Sequence, residues 1–152
     1  MNLLDDASAR GLSGIEQLQA LIASGTRPAI GDALDFDLVE VGKGFAVFEG
    51  VPGPAVMNLV GTVHGGFAAT LLDSACGAAV HTRISATQAY TTLELKTSYH
   101  RPMTAETGRV RAEASLISFR RRAAFASAAL TDAAGHVIAT ATSTLLVFER
   151  AV

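Results

Sequence analysis

The spacing of apolar residues changes period along the chain, and each change marks an element. Within Ser13 to Ser24 (SGIEQLQALIAS) apolar residues stand at 15, 18, 21 and 22, the spacing of one helix face, and Gly25 supplies a stop. Leu34, Phe36 and Leu38 then alternate with Asp35, Asp37 and Val39, the period of a strand. Gly42-Lys43-Gly44 turns the chain into a second strand, Phe45 to Val51, which Pro52, Gly53 and Pro54 end. From about Gly66 to Thr82 the chain reads as a helix that is apolar on nearly every side. Strand periods follow. Tyr90 to His100 sets Leu93, Leu95, Thr97 and Tyr99 on one face and Thr92, Glu94, Lys96 and Ser98 on the other. Arg109 to Ser118 alternates, and Ala123 to Thr131 with Val137 to Phe148 forms a hairpin around Asp132-Ala133-Ala134-Gly135. A helix that is apolar all round must be covered on several sides. A strongly curved antiparallel sheet wrapped around it is the simplest solution, an α+β architecture. Residues 1–30 read as a helical segment ahead of one domain over residues 31–152.

One carboxylate, Asp73, interrupts the central helix. Burying it unpaired among Ala, Leu and Val costs several kcal/mol or raises its pKa. The helix begins just after His64, so the N–H groups near Gly65 and Gly66 point outward, ready to hold an anionic oxygen. A carboxylate with an oxyanion-holding helix start is the equipment for acyl transfer. His64 and Asp73 are nine residues apart, roughly 180° around the helix and about 13.5 Å along it. They cannot meet on one ligand from one helix. Two such helices packed antiparallel across a twofold axis would bring His64 of one chain beside Asp73 of the other, which predicts a homodimer with two shared sites.

Composition narrows the class. The chain has 152 residues, 49% of them hydrophobic and 17% charged, which fits one domain with a real core and excludes bulk disorder. Twelve basic against fourteen acidic residues give a formal charge of -2, which does not favour nucleic acid. The lone Cys76 excludes an intramolecular disulfide or a cysteine-based zinc site. His81, His100 and His136 have no metal-ligand spacing and read as surface or helix-end residues. The start, MNLLDDASAR, carries acids where a signal peptide needs bases, and no run reaches the ~18 apolar residues of a membrane span. The expected location is the cytoplasm, with no membrane partner.

The run Asn58-x-x-Gly61-x-x-His64-Gly65-Gly66-x-x-Ala69, with Asp73, Gly77 and Ala79 beyond it and the strand TTLELKTSYHRP (91–102), resembles the hotdog-fold acyl-CoA thioesterases of the phenylacetate-degradation (PaaI) type. The resemblance spans roughly Phe36 to Phe148. It implies a curved sheet around a central helix and hydrolysis of a thioester to an acid and coenzyme A. It implies that the Gly65 N–H polarises the carbonyl, and that Asn58 and His64 position the thioester and the water. Asp73 of the partner subunit would be general base or nucleophile, with Thr92 orienting the water or the carboxylate. It implies no metal and no bound cofactor, coenzyme A being part of the substrate, and homodimers often paired into homotetramers.

Each residue has a plainer reading as well. Asn58 could cap its own loop, Thr92 could be there for strand propensity, and Gly65 and Gly66 could answer to a turn needing positive φ. Arg120, Arg121 and Arg122 lie at a turn and Arg101 ends a strand. They are either a solvated face or contacts for coenzyme A phosphates, which suit the forked guanidinium. Met57, Phe67, Leu71 and Tyr99 are candidates to line an acyl pocket. The competing functions are a non-catalytic acyl-CoA-binding hotdog protein and a hotdog hydratase or dehydratase. The presence of Asp73 counts against the first, and no matching local motif supports the second.

Overall fold

A computed structural model describes residues 3–150. Six strands form one sheet: β1 Phe36–Gly42, β2 Phe45–Gly50, β3 Gln88–Tyr99, β4 Val110–Phe119, β5 Ala123–Asp132 and β6 Val137–Glu149. Every pairing is antiparallel and the order is β1-β2-β4-β5-β6-β3, so β1 and β3 are edges. The helix α4, Gly65–His81, lies across one face and touches all six strands.

The sheet can close around α4 because its helix-facing positions are small. Ala112 and Ala114 on β4, Ala124, Ala126 and Ala128 on β5, and Ala139 and Ala141 on β6 are all buried. The helix supplies the bulk through Phe67, Leu71, Leu72 and Val80. Burying a Leu of this kind contributes about 1.5–3 kcal/mol. Opposite the helix, Arg111 links Glu40, Glu49 and Glu113 and ties β1, β2 and β4 together on the outer face.

Three further helices precede the sheet: α1 Leu3–Ala9, α2 Gly14–Ser24 and α3 Ala29–Leu34. The expected helix is α2. The Glu16 carboxylate reaches back to the N–H of Ser13 at 2.8 Å, and Gly25 caps the far end at φ 66°. The short α1 and α3 were not expected from the apolar spacing. Leu34, expected in the first strand, instead ends α3; Asp35 turns left-handed at φ 56°, and β1 begins at Phe36. No helix among the described residues is long and apolar enough to cross a membrane.

Helix α2 seals the C-terminal end of α4. Gly14 lies against the His81 carbonyl, where a Cβ would have no room, and its N–H donates to the Ile84 carbonyl at 3.0 Å. His81, expected at the surface or at a helix end, does end α4 but is buried there: its Nε2 meets Gln17 Oε1 at 2.9 Å, and Gln17 Nε2 donates to the Leu12 carbonyl. Burial, with the nearby Arg150 charge second, pushes the His81 pKa down from 6.5 to about 4.

That shift makes stability depend on acid. The unfolded chain takes up the proton near pH 6.5 and the folded one resists it until about pH 4, so the contribution is complete above 6.5 and is lost between those values. A fall from 6.5 to about 4 corresponds to about 3 kcal/mol. Urea unfolding followed from about pH 7 to about pH 4.5 should therefore show wild type losing up to about 3 kcal/mol more than His81→Gln, whose amide keeps the bond toward Gln17 without titrating. Parallel pH curves for the two proteins would contradict this account.

Candidate active site

The segment leading into α4 is a closed loop. After the short 3-10 turn Pro54–Val56, Met57 and Val63 bridge, and Asn58 organises the residues between them. Its Oδ1 accepts from the N–H groups of Val60 and Thr62 at 3.0 and 3.1 Å, and its Nδ2 donates to Thr62 Oγ1 at 2.7 Å. Both ends of the Asn58 amide are thus engaged within its own loop. Leu59 and Val60 stand exposed at the loop tip.

His64 is the N-cap of α4. Its Nδ1 accepts from the Gly66 N–H at 2.8 Å, so the neutral ring carries its proton on Nε2, which faces outward on an exposed side chain. The Gly65 N–H has no acceptor among the described residues. Neither Gly65 nor Gly66 has positive φ, so a left-handed turn does not explain them. Space does. A Cβ on Gly65 would lie 3.1 Å from the Tyr99 ring and hydroxyl, and one on Gly66 would lie 2.9 Å from His64 Nδ1.

Two turns further on, Asp73 is half-buried and not unpaired: Thr92 Oγ1 donates to its Oδ1 at 2.9 Å. A β-bulge makes that bond possible. The register of β3 against β6 slips between Thr92 and Glu94. Regular alternation, as expected from the sequence, sets Thr92 on the face opposite Leu95, Thr97 and Tyr99. The extra residue, Leu93, is exposed and reverses the phase, so Tyr90 and Thr92 before it and Leu95 and Tyr99 after it all face the helix. Tyr90 wedges its ring against Gly77, where a Cβ would lie 2.9 Å from the hydroxyl, and stands edge-on to His81. Burial, then the Asp73 charge, pushes both the Cys76 thiol and the Tyr90 phenol up to about 12. Cys76 is therefore an inert core thiol.

Within one chain these groups form two separate clusters. Gly65 with His64 and Asp73 with Thr92 are about 12 Å apart along the helix. The arginines separate too. Arg101 is exposed and its N–H bonds the Ile138 carbonyl, beside a cavity of about 360 Å³ lined by Val63, Gly65, Tyr99, Arg101, Met103 and Ile138. The Arg120–Arg122 turn is exposed at the other end of β6, where the Arg122 carbonyl accepts from Val147, roughly 30 Å away by strand rise. Of the expected pocket residues, Phe67 and Leu71 are core, Met57 packs half-buried against the core, and Tyr99 alone lines that cavity. A larger hollow of about 490 Å³ on the outer sheet face, between Lys96, Glu113, Ser127 and Thr142, contains none of these groups. Tyr90 was not foreseen as a neighbour of Asp73. Its position two residues before Thr92 on the same strand was the available signal.

A six-stranded antiparallel sheet curled around one long helix is the hotdog fold. A sequence model of the Thioesterase superfamily matches residues 60–139. Among solved structures, the TT0310 protein of Thermus thermophilus is 32% identical, with a TM-score of 0.72 over 80% of this chain and 98% of that one. A mutant of the phenylacetic acid degradation protein PaaI from the same organism is 31% identical, with a TM-score of 0.71 over 78% of this chain and 98% of that one. A thioesterase family protein of Silicibacter pomeroyi is 26% identical, with a TM-score of 0.77 over 88% and 98%. No curated protein sequence matches the chain. The chain belongs to the thioesterase superfamily.

Proposed function

We propose that the protein hydrolyses an acyl-CoA thioester at a site shared between two copies of the chain. The observation that carries this reading is the free Gly65 N–H at the start of α4, on a helix whose half-exposed face also carries the Thr92-bonded Asp73. The Gly65 N–H would hold the thioester oxygen, with the positive end of the helix dipole behind it. Asp73 would take a proton from water as the water oxygen attacks the carbonyl carbon. Collapse of the tetrahedral intermediate would break the C–S bond and release a carboxylic acid and coenzyme A. Direct attack by Asp73, giving a mixed anhydride that water then opens, uses the same groups. His64 Nε2–H and Asn58 would position the thioester and the water, Asn58 after exchanging one of its loop bonds. No metal and no resident cofactor enters this scheme.

The shared arrangement has its own support. The sheet leaves one strip of α4 uncovered, and along it lie Gly66, Ala69, Thr70 and Asp73, small enough for a second helix to approach. Beside that strip runs the open edge of β3. An antiparallel β3–β3 pair would continue the sheet and set the two helices side by side. Gly65 of one copy would face Asp73 of the other when the twofold axis passes near Ala69 on α4. Tyr99 stands beside Gly65 and Thr92 beside Asp73, so the same axis meets β3 near Leu95 and Lys96. A homodimer, with pairing into a homotetramer, and a cytoplasmic setting belong to the same proposal. Arg101, next to Gly65, and the Arg120–Arg122 turn would supply charge for the coenzyme A phosphates.

Three experiments follow, all reading thiol release from aromatic and aliphatic acyl-CoAs. Asp73→Asn keeps size and the Thr92 bond, and should lower kcat by on the order of 10²-fold or more. Undiminished turnover in the folded variant would remove the mechanism. Replacing Arg101, or the three turn arginines together, by Ala should raise KM for acyl-CoA well above that for the matching acyl-pantetheine, less so at high salt. Equal effects on both substrates would return those residues to a solvated face. Finally, Asp73→Asn and His64→Ala subunits are mixed and refolded together. About half the dimers would be mixed, each with one intact site, so about a quarter of wild-type activity should return. No recovery, with subunit exchange established by mass spectrometry, would place both residues in one chain's site.

A further inference from the structure

Tyr99 closes β3 beside the first turn of α4. Its hydroxyl donates to the Gly65 carbonyl at 2.8 Å. The residue is 54% exposed, so burial of the ring does little to hold it there. The hydrogen bond and the close packing on Gly65 do. The Gly65 carbonyl and the Gly66 N–H are the two ends of one peptide group, and that N–H donates to His64 Nδ1 at 2.8 Å. Three groups therefore form one chain: the Tyr99 hydroxyl, the 65–66 peptide and the His64 imidazole. Hydrogen bonds in series polarise one another. The preceding peptide, which carries the unpaired Gly65 N–H, lies between the two anchored ends of this chain, and its own carbonyl, that of His64, accepts from the Phe67 N–H at 3.0 Å.

We infer that Tyr99 is a positioning residue: through the 65–66 peptide it holds the Gly65 N–H in its outward direction and keeps the His64 proton on Nε2. The kinetic consequence rests on the thioesterase reading above; the chain of bonds does not. Gly65 suits the same arrangement, since a Cβ there would lie 3.1 Å from the Tyr99 ring and hydroxyl and would press on the first bond.

Tyr99→Phe separates the two. It keeps the ring and removes one donor at an exposed position, so folding is not at stake. In the free protein at mildly alkaline pH, NMR should show faster solvent exchange and an upfield shift of the Gly66 amide proton, and a smaller share of His64 in the Nε2–H form. With an acyl-CoA that the wild type hydrolyses, kcat should fall about three- to tenfold, the worth of one neutral hydrogen bond, with KM unchanged. An unchanged Gly66 amide and His64 tautomer would overturn the chain itself. Altered NMR signals with unchanged kcat, or a change confined to KM, would overturn its role in positioning. If the wild type released no thiol from any acyl-CoA, the thioesterase reading would fail while the NMR comparison still decided whether Tyr99 orders the helix start.

Discussion

Everything in this structure depends on one helix that is apolar on all but a narrow strip. A segment as apolar as Phe67–Val80 must be covered nearly all the way round, and a sheet does so when it curls and presents little bulk. The alanines of β4, β5 and β6 meet that condition, letting the Leu and Phe side chains of α4 fill the space between the layers. A sheet of six strands still leaves one strip open, beside its β3 edge. The half-exposed Ala69, Thr70 and Asp73 lie there. The packing problem that defines the fold thus also decides where a polar group on α4 is tolerated.

A single extra residue then sets the chemistry of that strip. Without the bulge at Leu93, Thr92 would face outward and Asp73 would lose its hydrogen-bond donor. The helix answers with glycines at 65, 66 and 77, none with positive φ, each at a point where a ring comes within contact distance of the backbone: Tyr99, His64 and Tyr90. In this protein those glycines serve close approach, which a turn-based reading of His-Gly-Gly does not anticipate. Bulge and glycines act on the same seam, between α4 and β3, from its two sides.

How much of this could be read beforehand follows from which signals are local. Period-2 and period-3.6 patterns depend on a residue and its near neighbours, so α2, α4 and the strands from Phe45 onward were legible to within two residues at each end. The helices α1 and α3 were not, because six or seven residues carry too few repeats to define a face. The strand order was not legible either, since nothing in an alternating strand names its neighbour. The bulge was invisible for a sharper reason: the TTLELKTSY sequence alternates in either phase, and the slip is defined only by pairing with β6. At the candidate site, the residue types and their spacing marked Asp73, His64 and Gly65. The engagement of Asn58 within its own loop is local, spanning two to four residues, and the loop-capping reading anticipated it. The geometry of the Thr92–Asp73 bond and the Tyr99 contact depends on side chains meeting across elements, which one sequence does not encode locally.

The two ends of α4 complete the argument by contrast. At the C-terminal end, Gly14, Gln17 and the Thr82 hydroxyl, which accepts from the Gly44 N–H at 2.7 Å, seal the chain reversal, and His81 is kept neutral although a cation there would suit the helix dipole. Burial outweighs the dipole at that end, because the dipole is worth about 1 kcal/mol and an unpaired buried charge costs more. At the N-terminal end the balance is reversed. His64 caps the Gly66 N–H, Tyr99 bonds the carbonyl at the other end of the same peptide, and the Gly65 N–H is left without an acceptor among the described residues where a cavity opens beside it. An unpaired donor is inexpensive only while water can reach it. Its position at an exposed helix start, backed by the dipole, is the feature on which the proposed holding of the thioester oxygen rests.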